Sequence, residues 1–159
     1  MRVKVGFGFD THRLATGRPL ILGGVEITSA LGCVGHSDAD VLIHAICDAL
    51  LGAANLRDIG YHFPDTDPKY KGIDSCVLLK ECCALVRKQS WVISNIDTTI
   101  VIQKPKINPH IPAMQQQLSS AMGIPTEDIS IKAKTSENIG FIGREEGCSA
   151  YAVALLTRE

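Results

Sequence analysis

The sequence predicts an α+β fold in a single domain spanning residues 1–159, with a mixed four-stranded sheet and helices on one face. Runs rich in branched apolar residues are interspersed with amphipathic stretches, in the order β-α-α-β-α-β-β. The length of 159 residues matches one ordinary domain. Hydrophobic residues make up 45% of the chain and charged residues 21%, so the composition is globular.

The N-terminal region predicts extended structure. From Val3 to Phe9, apolar residues alternate with polar residues or glycine, and this period of two predicts a strand. Ile21 to Ile27 predicts a short second strand, with Gly23-Gly24 as a bend or bulge.

Two helices are predicted next. Ser37 begins the first, with Asp40 three residues on in a position like that of a capping box, and its apolar face continues to Ala53. The stretch from Asn55 to Gly72 is rich in glycine, proline and aspartate and predicts a loop. Residues 74–88 predict the second helix.

The C-terminal half predicts three strands and one helix. Trp91 to Gln103 is rich in isoleucine, valine and threonine, which favours a long strand. Pro109 to Met122 predicts a helix that Gly123 and Pro125 end. Residues 129–135 and 149–156 predict the last two strands.

Charge and hydropathy exclude several classes of partner. The formal net charge of -1 gives no electrostatic reason to expect binding to nucleic acid or to an anionic membrane. No segment has the apolar run of a signal peptide or a membrane span. The six cysteines lack a C-x-x-C pair and are predicted to be free thiols. We therefore expect a cytoplasmic protein.

Asp10, His12 and His44 form the strongest candidate site. Asp10 and His12 are two apart on a predicted strand, so their side chains share a face. Gly6 and Gly8 lie on the same face, where they are expected to leave open space. Two histidines and a carboxylate bind a divalent ion and leave a position for substrate. The alternatives are a surface pair at a strand end and a solvated helix face.

Seven separated motifs add to this pattern, and together they carry a resemblance. They are Gly8–His12, Gly35–Asp40, Asp58–Gly60, Phe63–Asp67, Gln103–Lys106, Lys132–Glu137 and Gly140–Arg144. In this order and spacing the chain closely resembles the 2-C-methyl-D-erythritol 2,4-cyclodiphosphate synthase family, from Arg2 to Leu156. The resemblance implies one cyclodiphosphate synthase domain over residues 1–159.

The implied reaction belongs to the non-mevalonate isoprenoid pathway. The 2-phosphate of the cytidine diphosphate-linked substrate, 4-diphosphocytidyl-2-C-methyl-D-erythritol 2-phosphate, attacks the β-phosphorus, and CMP leaves. No side chain has to act as nucleophile, so positioning and charge neutralisation are expected to provide the catalysis. A zinc ion on Asp10, His12 and His44 is implied, and a magnesium or manganese ion on Glu137.

The resemblance also implies roles around the metals. His36 and Thr135 are implied to stabilise the transition state. His36 and Ser37 match a mobile loop over the methylerythritol 2-phosphate, although Ser37 alone would be interpreted as a helix N-cap. Asp58 and Gly60 match contacts to the erythritol part. A further substrate loop is matched by Phe63, Pro64, Asp65, Thr66 and Asp67, although alone it would be interpreted as an ordinary Pro-Asp turn.

The implied nucleotide pocket comprises two segments. These are Ile102, Gln103, Lys104, Pro105, Lys106, Ile107 and Asn108, followed by Lys134, Thr135, Ser136 and Glu137. Lys134 departs from the commonest family pattern, in which threonine is frequent. A lysine there either adds charge near the phosphates or points to solvent.

A homotrimer is implied, with each active site shared between two chains. Phe141 and Arg144 match residues that line a cavity on the trimer axis, with Glu146 near the arginine. Three phenylalanines and three arginines would suit an isoprenoid diphosphate.

Two alternative classes remain open from the sequence. A set of two histidines and one carboxylate also serves non-haem iron enzymes, although those usually carry it on a jelly roll rather than partly on a helix. A non-catalytic trimeric ligand-binding module would have lost the triad or Glu137, and both are present.

Overall fold

The computed structural model describes all residues from 1 to 159. Its main sheet has five strands, in the order β4-β1-β7-β5-β6. The strands are β1 (Arg2–Thr16), β4 (Leu31–Val34), β5 (Val92–Val101), β6 (Ile129–Lys134) and β7 (Gly147–Arg158). Only the β5–β6 pair is parallel, so the sheet is mixed as predicted.

Five α-helices accompany the sheet, and short 3-10 turns connect some of them. The helices are α1 (Val41–Ala53), α2 (Ile59–His62), α3 (Ser75–Lys88), α4 (Ile111–Met122) and α5 (Gly140–Gly143). The 3-10 turns span Pro68–Tyr70, Asn108–His110 and Thr126–Asp128. A single cluster of 39 buried residues forms the hydrophobic core between the sheet and the long helices.

The predicted number of strands was wrong, because the sheet has five strands rather than four. The additional edge strand β4 pairs with the last four residues of β1, from Arg13 to Thr16. Neither β4 nor the end of β1 has a long apolar alternation. Both form strands because they pair with each other across a distance in sequence.

The predicted strand over residues 21–27 is instead a two-stranded hairpin, separate from the main sheet. β2 (Leu20–Leu22) and β3 (Val25–Ile27) pair across Gly23 and Gly24. Both glycines have left-handed φ angles, +58° and +75°, which is the backbone of a tight two-residue hairpin turn.

Two local predictions also need correction. The first helix begins at Val41 rather than at Ser37, because the Asp40 side chain is the N-cap and accepts the N–H of Ile43. The predicted loop from 55 to 72 contains α2 and a 3-10 turn. Residues 140–143 form a single helical turn.

Helix α1 packs against β1 at unusually short range. A Cβ atom at Gly6 would lie 1.9 Å from the backbone oxygen of Ala49, and one at Gly8 would lie 1.9 Å from that of Ala45. The expectation of open space beside the two glycines was therefore wrong, since the helix backbone occupies it. This contact brings His44 on α1 to the end of β1 that carries Asp10 and His12.

The other face of the sheet is apolar and uncovered. Val5 and Phe7 of β1 are 65% and 64% exposed, and Phe9 and Val153 are also exposed. Phe9 and Tyr151 place their ring centroids 5.4 Å apart on this face. The helices therefore lie on one face of the sheet only.

None of the helices combines the length and the hydropathy that crossing a membrane requires. All six cysteines carry free thiols.

Candidate metal centre and substrate cavity

Asp10, His12 and His44 converge on one point. Asp10 Oδ2 lies 2.8 Å from His12 Nε2 and 3.1 Å from His44 Nδ1. The two ring nitrogens are 3.1 Å apart. Strand β1 supplies Asp10 and His12 from one face, and α1 supplies His44 from above that face.

Further hydrogen bonds orient both imidazole rings. His12 Nδ1 donates to the carbonyl oxygen of Val34 on β4, at 3.0 Å. His44 Nε2 lies 3.0 Å from Ser75 Oγ and 3.1 Å from Ser37 Oγ. The nitrogen of each ring that points away from the cluster thus has a polar partner, as is usual for metal-bound histidines.

The electrostatics of the cluster favour an ionised carboxylate. Burial alone would raise the pKa of Asp10, but the imidazole rings of His12 and His44 beside its carboxylate hold it well below its usual range. Burial alone would lower the pKa of His12, but the hydrogen bond and negative charge of Asp10 raise it above the ordinary value. A concentrated negative charge therefore faces two imidazole nitrogens.

The donor set fits a divalent ion of the zinc type. Each residue offers one ligand atom, and the three atoms lie within 4.8 Å of one another. A tetrahedral zinc with ligands at about 2.0–2.1 Å separates its ligand atoms by about 3.3 Å. The observed separations of 2.8–3.1 Å would need only a small expansion.

A cavity of about 430 Å³ opens beside the cluster. Besides the three ligands, it is lined by His36, Ser37, Gly60, Phe63, Pro64 and Asp65 from the predicted set, together with Gly35, Asp48, Ile59, Tyr70 and Leu78. The structure thus brings the triad and most of the predicted erythritol-side residues around one space.

Three predicted residues of this region do not line the cavity. The side chains of Asp58 and Asp67 cap short helical turns, accepting the N–H groups of Tyr61 and Lys69 respectively. Thr66 also lies outside the lining. Asp67 still contributes through its backbone, because its carbonyl oxygen accepts from His36 Nε2 at 3.1 Å.

Several lining residues were not among the predicted site residues. Asp48 is one helical turn beyond His44, and its Oδ1 accepts the N–H of Ile59, which attaches the following loop to α1. The spacing of Asp48 from His44 was visible in the sequence. Tyr70 and Leu78 line the cavity because of tertiary packing, and nothing in their local sequence indicates that they belong to a site.

The predicted nucleotide segments form a second, separate cavity of about 250 Å³. It is lined by Ile102, Gln103, Pro105, Lys106, Ile107, Asn108, Ala133, Lys134 and Thr135. Among the predicted residues of these segments, Lys104, Ser136 and Glu137 lie outside this lining.

The strand register places both cavities at the same end of the sheet. Thr11 of β1 pairs with Ser149 of β7, which pairs with Val101 of β5, which in turn pairs with Lys134 of β6. Two strand spacings separate β1 from β5, so the two cavities do not merge within one chain.

Glu137 is exposed and does not approach the triad within the chain. Its Oε1 accepts a hydrogen bond of 3.1 Å from Thr135 Oγ1. Glu137 and Asn138 both have left-handed φ angles, +56° and +61°. Consecutive non-glycine residues in this conformation carry backbone strain, which often accompanies a functional site.

Phe141 and Arg144 lie near the triad end of β1, outside both cavities. Phe141 lines a broad depression that also includes Thr11 and Arg13. Arg144 makes a two-point contact with Glu146, at 2.9 Å through Nε and 3.3 Å through the terminal nitrogen.

The fold and the site together define an α+β protein with a candidate divalent-metal centre of two histidines and one aspartate. The chain belongs to the YgbB family, whose family model matches residues 3–157.

Named relatives are similar over almost the whole chain. The 2-C-methyl-D-erythritol 2,4-cyclodiphosphate synthase of Cytophaga hutchinsonii is 61% identical over 158 residues, covering 99% of each chain. A solved 2C-methyl-D-erythritol-2,4-cyclodiphosphate synthase in a CDP-bound form is 40% identical, with a TM-score of 0.89, and covers 97% of this chain and 100% of that one. The bifunctional IspDF of Campylobacter jejuni matches with a TM-score of 0.95 and 40% identity. That match covers 99% of this chain but only 43% of the larger protein.

Proposed function

We propose that this protein converts 4-diphosphocytidyl-2-C-methyl-D-erythritol 2-phosphate to 2-C-methyl-D-erythritol 2,4-cyclodiphosphate, with release of CMP. The observation that carries the proposal is the convergence of Asp10, His12 and His44 beside a cavity, in a chain 61% identical to a synthase of that name. The same activity is assigned to residues 1–159 as one domain.

The reaction joins two phosphates of one substrate. An oxygen of the 2-phosphate forms a bond to the β-phosphorus, and the bond from the β-phosphorus to the bridging oxygen breaks, so that the electron pair leaves with CMP. A divalent ion on the triad would act as a Lewis acid for a phosphate oxygen, and zinc is the ion that we propose.

The chain's own residues would bend the substrate and shield its charge. His36 Nε2 is held by the Asp67 carbonyl, so the ring bridges the two loops that border the cavity. We propose that His36 and Ser37 cover the 2-phosphate and that the loop with Phe63, Pro64 and Asp65 encloses the erythritol part. The enclosure excludes water that would compete as nucleophile.

The nucleotide is assigned to the second cavity, supplied by a neighbouring chain. The two cavities lie at one end of the sheet but on different strands. A homotrimer that packs the exposed apolar face of one chain against the next would bury Val5, Phe7 and Phe9. We propose that Thr135 then contacts the phosphates and that Glu137 holds a magnesium or manganese ion.

An isoprenoid diphosphate is proposed as a ligand on the trimer axis, near Phe141 and Arg144. Phe141 offers an apolar ring, and the Arg144 guanidinium already makes a two-point contact with a carboxylate. Geranyl diphosphate should raise the melting temperature of the wild type by mass action but not that of Arg144→Ala. The control is Arg57→Ala, at an exposed arginine that stacks on Tyr61 away from Phe141, and it should respond like the wild type. An equal shift in the wild type and Arg144→Ala would contradict this assignment.

The experiment for the reaction itself is incubation of the purified protein with the cytidine substrate. We expect equal amounts of CMP and cyclic diphosphate, loss of both after chelation, and recovery when zinc and magnesium are returned. Binding of the substrate without CMP release would instead indicate a non-catalytic module. Activity that chelation leaves intact would contradict the metal-dependent mechanism. The cytoplasmic location remains a prediction from the sequence.

A further inference from the structure

A chain of hydrogen bonds leads away from His44 on the side opposite to the ligand cluster. His44 Nε2 lies 3.0 Å from Ser75 Oγ, and the Ser75 hydroxyl donates to Asp38 Oδ1. Ser75 is fully buried in the first turn of α3, and Asp38 lies in the loop before α1.

The hydrogen bonds of Asp38 fix the direction of this chain. Its Oδ1 accepts from the Ser75 hydroxyl and from the N–H of Asp40, and its Oδ2 accepts from the N–H of Ser75 at 2.9 Å. A carboxylate has no proton to give back. The single hydroxyl proton of Ser75 therefore points to Asp38, and Ser75 Oγ offers only a lone pair toward His44.

This direction determines which nitrogen of His44 carries a proton. A neutral imidazole has one N–H and one lone pair, so an N–H at Nε2 leaves the lone pair on Nδ1. Nδ1 is the atom that lies 3.1 Å from both Asp10 Oδ2 and His12 Nε2.

We propose that Ser75 and Asp38 are positioning residues that hold His44 as its Nε2–H tautomer, which keeps Nδ1 available to a divalent ion. The inference rests on the metal site of the proposed function but not on its substrate. It makes the N-terminus of α3 part of the support for the metal centre, although no residue there is a ligand.

Ser37 is a second neighbour of the same nitrogen, but its environment differs. Its Oγ lies 3.1 Å from His44 Nε2 and also accepts the N–H of Ala39 at 3.2 Å. Ser37 is half-buried in the loop that lines the cavity, whereas Ser75 is enclosed within a helix. Ser75 is therefore the more firmly held of the two neighbours of His44 Nε2.

The test is the zinc affinity of the metal-free full-length protein, measured by competition with a chromophoric chelator. We expect Ser75→Ala to bind zinc about 10-fold more weakly, the lower end of the range for partners of metal-bound histidines. Asp38→Asn should weaken binding toward about 100-fold, because its amide would donate to Ser75 Oγ and turn the hydroxyl proton toward His44. Ser119→Ala, which removes a hydroxyl on α4 that donates to the carbonyl oxygen of Ile124, is the control and should bind normally.

Wild-type zinc affinity in folded Ser75→Ala and Asp38→Asn would overturn the proposal. If either variant fails to fold, nitrogen NMR of the histidine-labelled, metal-free wild type in alkaline buffer decides the matter. We expect the His44 proton on Nε2, and a proton on Nδ1 would overturn the proposal. A protein that binds zinc as expected but releases no CMP would contradict the proposed function and leave this inference intact.

Discussion

At the scale of single residues, the two histidines of the candidate site face the ligand cluster through different nitrogens. His12 faces the cluster with Nε2 and His44 with Nδ1, because His12 lies on strand β1 and His44 on the helix that packs over it. The partner of the remaining nitrogen differs accordingly, a backbone carbonyl for His12 and a serine hydroxyl for His44. A substitution at either histidine should therefore act through the ion that we propose for the triad.

Glu137→Gln should separate the two proposed ions. The substitution keeps the shape of the side chain but removes the charge, so we expect zinc to stay on the triad while turnover falls about 100-fold, as when one electrostatic stabiliser is lost. Zinc content and steady-state CMP release measure the two effects. Glu127→Gln, in a 3-10 turn outside both cavities, is the matched control. Disappearance of zinc from Glu137→Gln would refute the separation.

The candidate ligands could be predicted from the sequence, but most of their surroundings could not. Two residues of an Asp-x-His pair share a face on any strand, and His44 lies in a clear helical pattern. Ser75 reaches His44 only because α3 packs against α1, a contact between residues 31 apart in sequence. Ser75 would ordinarily be interpreted as part of a helix N-terminus, and nothing local distinguishes it.

At the scale of elements, the close contact between β1 and α1 sets the geometry of the metal centre. Gly8→Ala would bring a methyl group against the backbone of Ala45, so α1 would have to move. We expect the free energy of unfolding to fall by about 1–3 kcal/mol, as for other overpacked cores.

Gly52→Ala is the control for that substitution, because a Cβ there meets no atom within 4 Å and the residue lies in α1. This variant should be as stable as the wild type or more so, by up to about 1 kcal/mol. Denaturant unfolding at one protein concentration measures both variants. Equal stability of Gly8→Ala and Gly52→Ala would contradict the packing argument.

Asp40 links the β2–β3 hairpin to α1 and should make stability depend on pH. It is fully buried, and its carboxylate accepts the N–H groups of Gly23, Gly24 and Ile43. Burial raises its pKa to about 6, against the effect of these hydrogen bonds. Between pH of about 4 and 6 the folded state binds the proton more tightly than the unfolded state does, so this contribution to stability is lost as pH rises.

Asp40→Asn tests that contribution. The stability advantage of the wild type over the variant should shrink between about pH 4 and 6, because only the wild type titrates there. Urea unfolding at a series of pH values measures the difference, in which other titrating groups cancel. A difference that is constant across this range, or that grows with pH, would be inconsistent with the raised pKa.

The predictions of helices and strands were correct where an apolar period extends over several turns. They were wrong where a strand forms only through pairing with a distant segment. Helix α3 was predicted within one residue, because its apolar positions recur over four turns behind the Asp74 cap. Strand β4 has four residues, one of them Gly32, and exists because β1 extends alongside it. The Gly23-Gly24 turn was interpreted as a bend, although this dipeptide is also typical of a hairpin.

At the scale of the whole molecule, one face of the sheet packs against the helices and the opposite, apolar face is uncovered. The apolar alternation of β1 correctly predicts a strand, but the side that carries Gly6 and Gly8 faces the helices, while Val5, Phe7 and Phe9 are exposed. Periodicity finds the two faces of a strand and does not determine which face the chain itself covers. The proposed trimer accounts for the exposed face.

Subunit mixing tests the shared site. His12→Ala removes the metal half, and Ala133→Phe places a ring in the second cavity and removes the nucleotide half. Each variant alone should be inactive, whereas an equal mixture refolded together should recover about a quarter of wild-type activity, since one site in four combines two intact halves. Each variant taken alone through the same refolding is the control. No recovery after proven subunit exchange would mean that each chain builds its own complete site.

The most direct test of the central claim measures zinc content and CMP release together in His12→Ala. His110→Ala is the matched control, because that side chain makes no capping hydrogen bond and lies outside both cavities. If Asp10, His12 and His44 hold the catalytic ion, His12→Ala loses bound zinc and CMP release together, while His110→Ala keeps both. A folded His12→Ala protein that releases CMP at the wild-type rate would contradict the account.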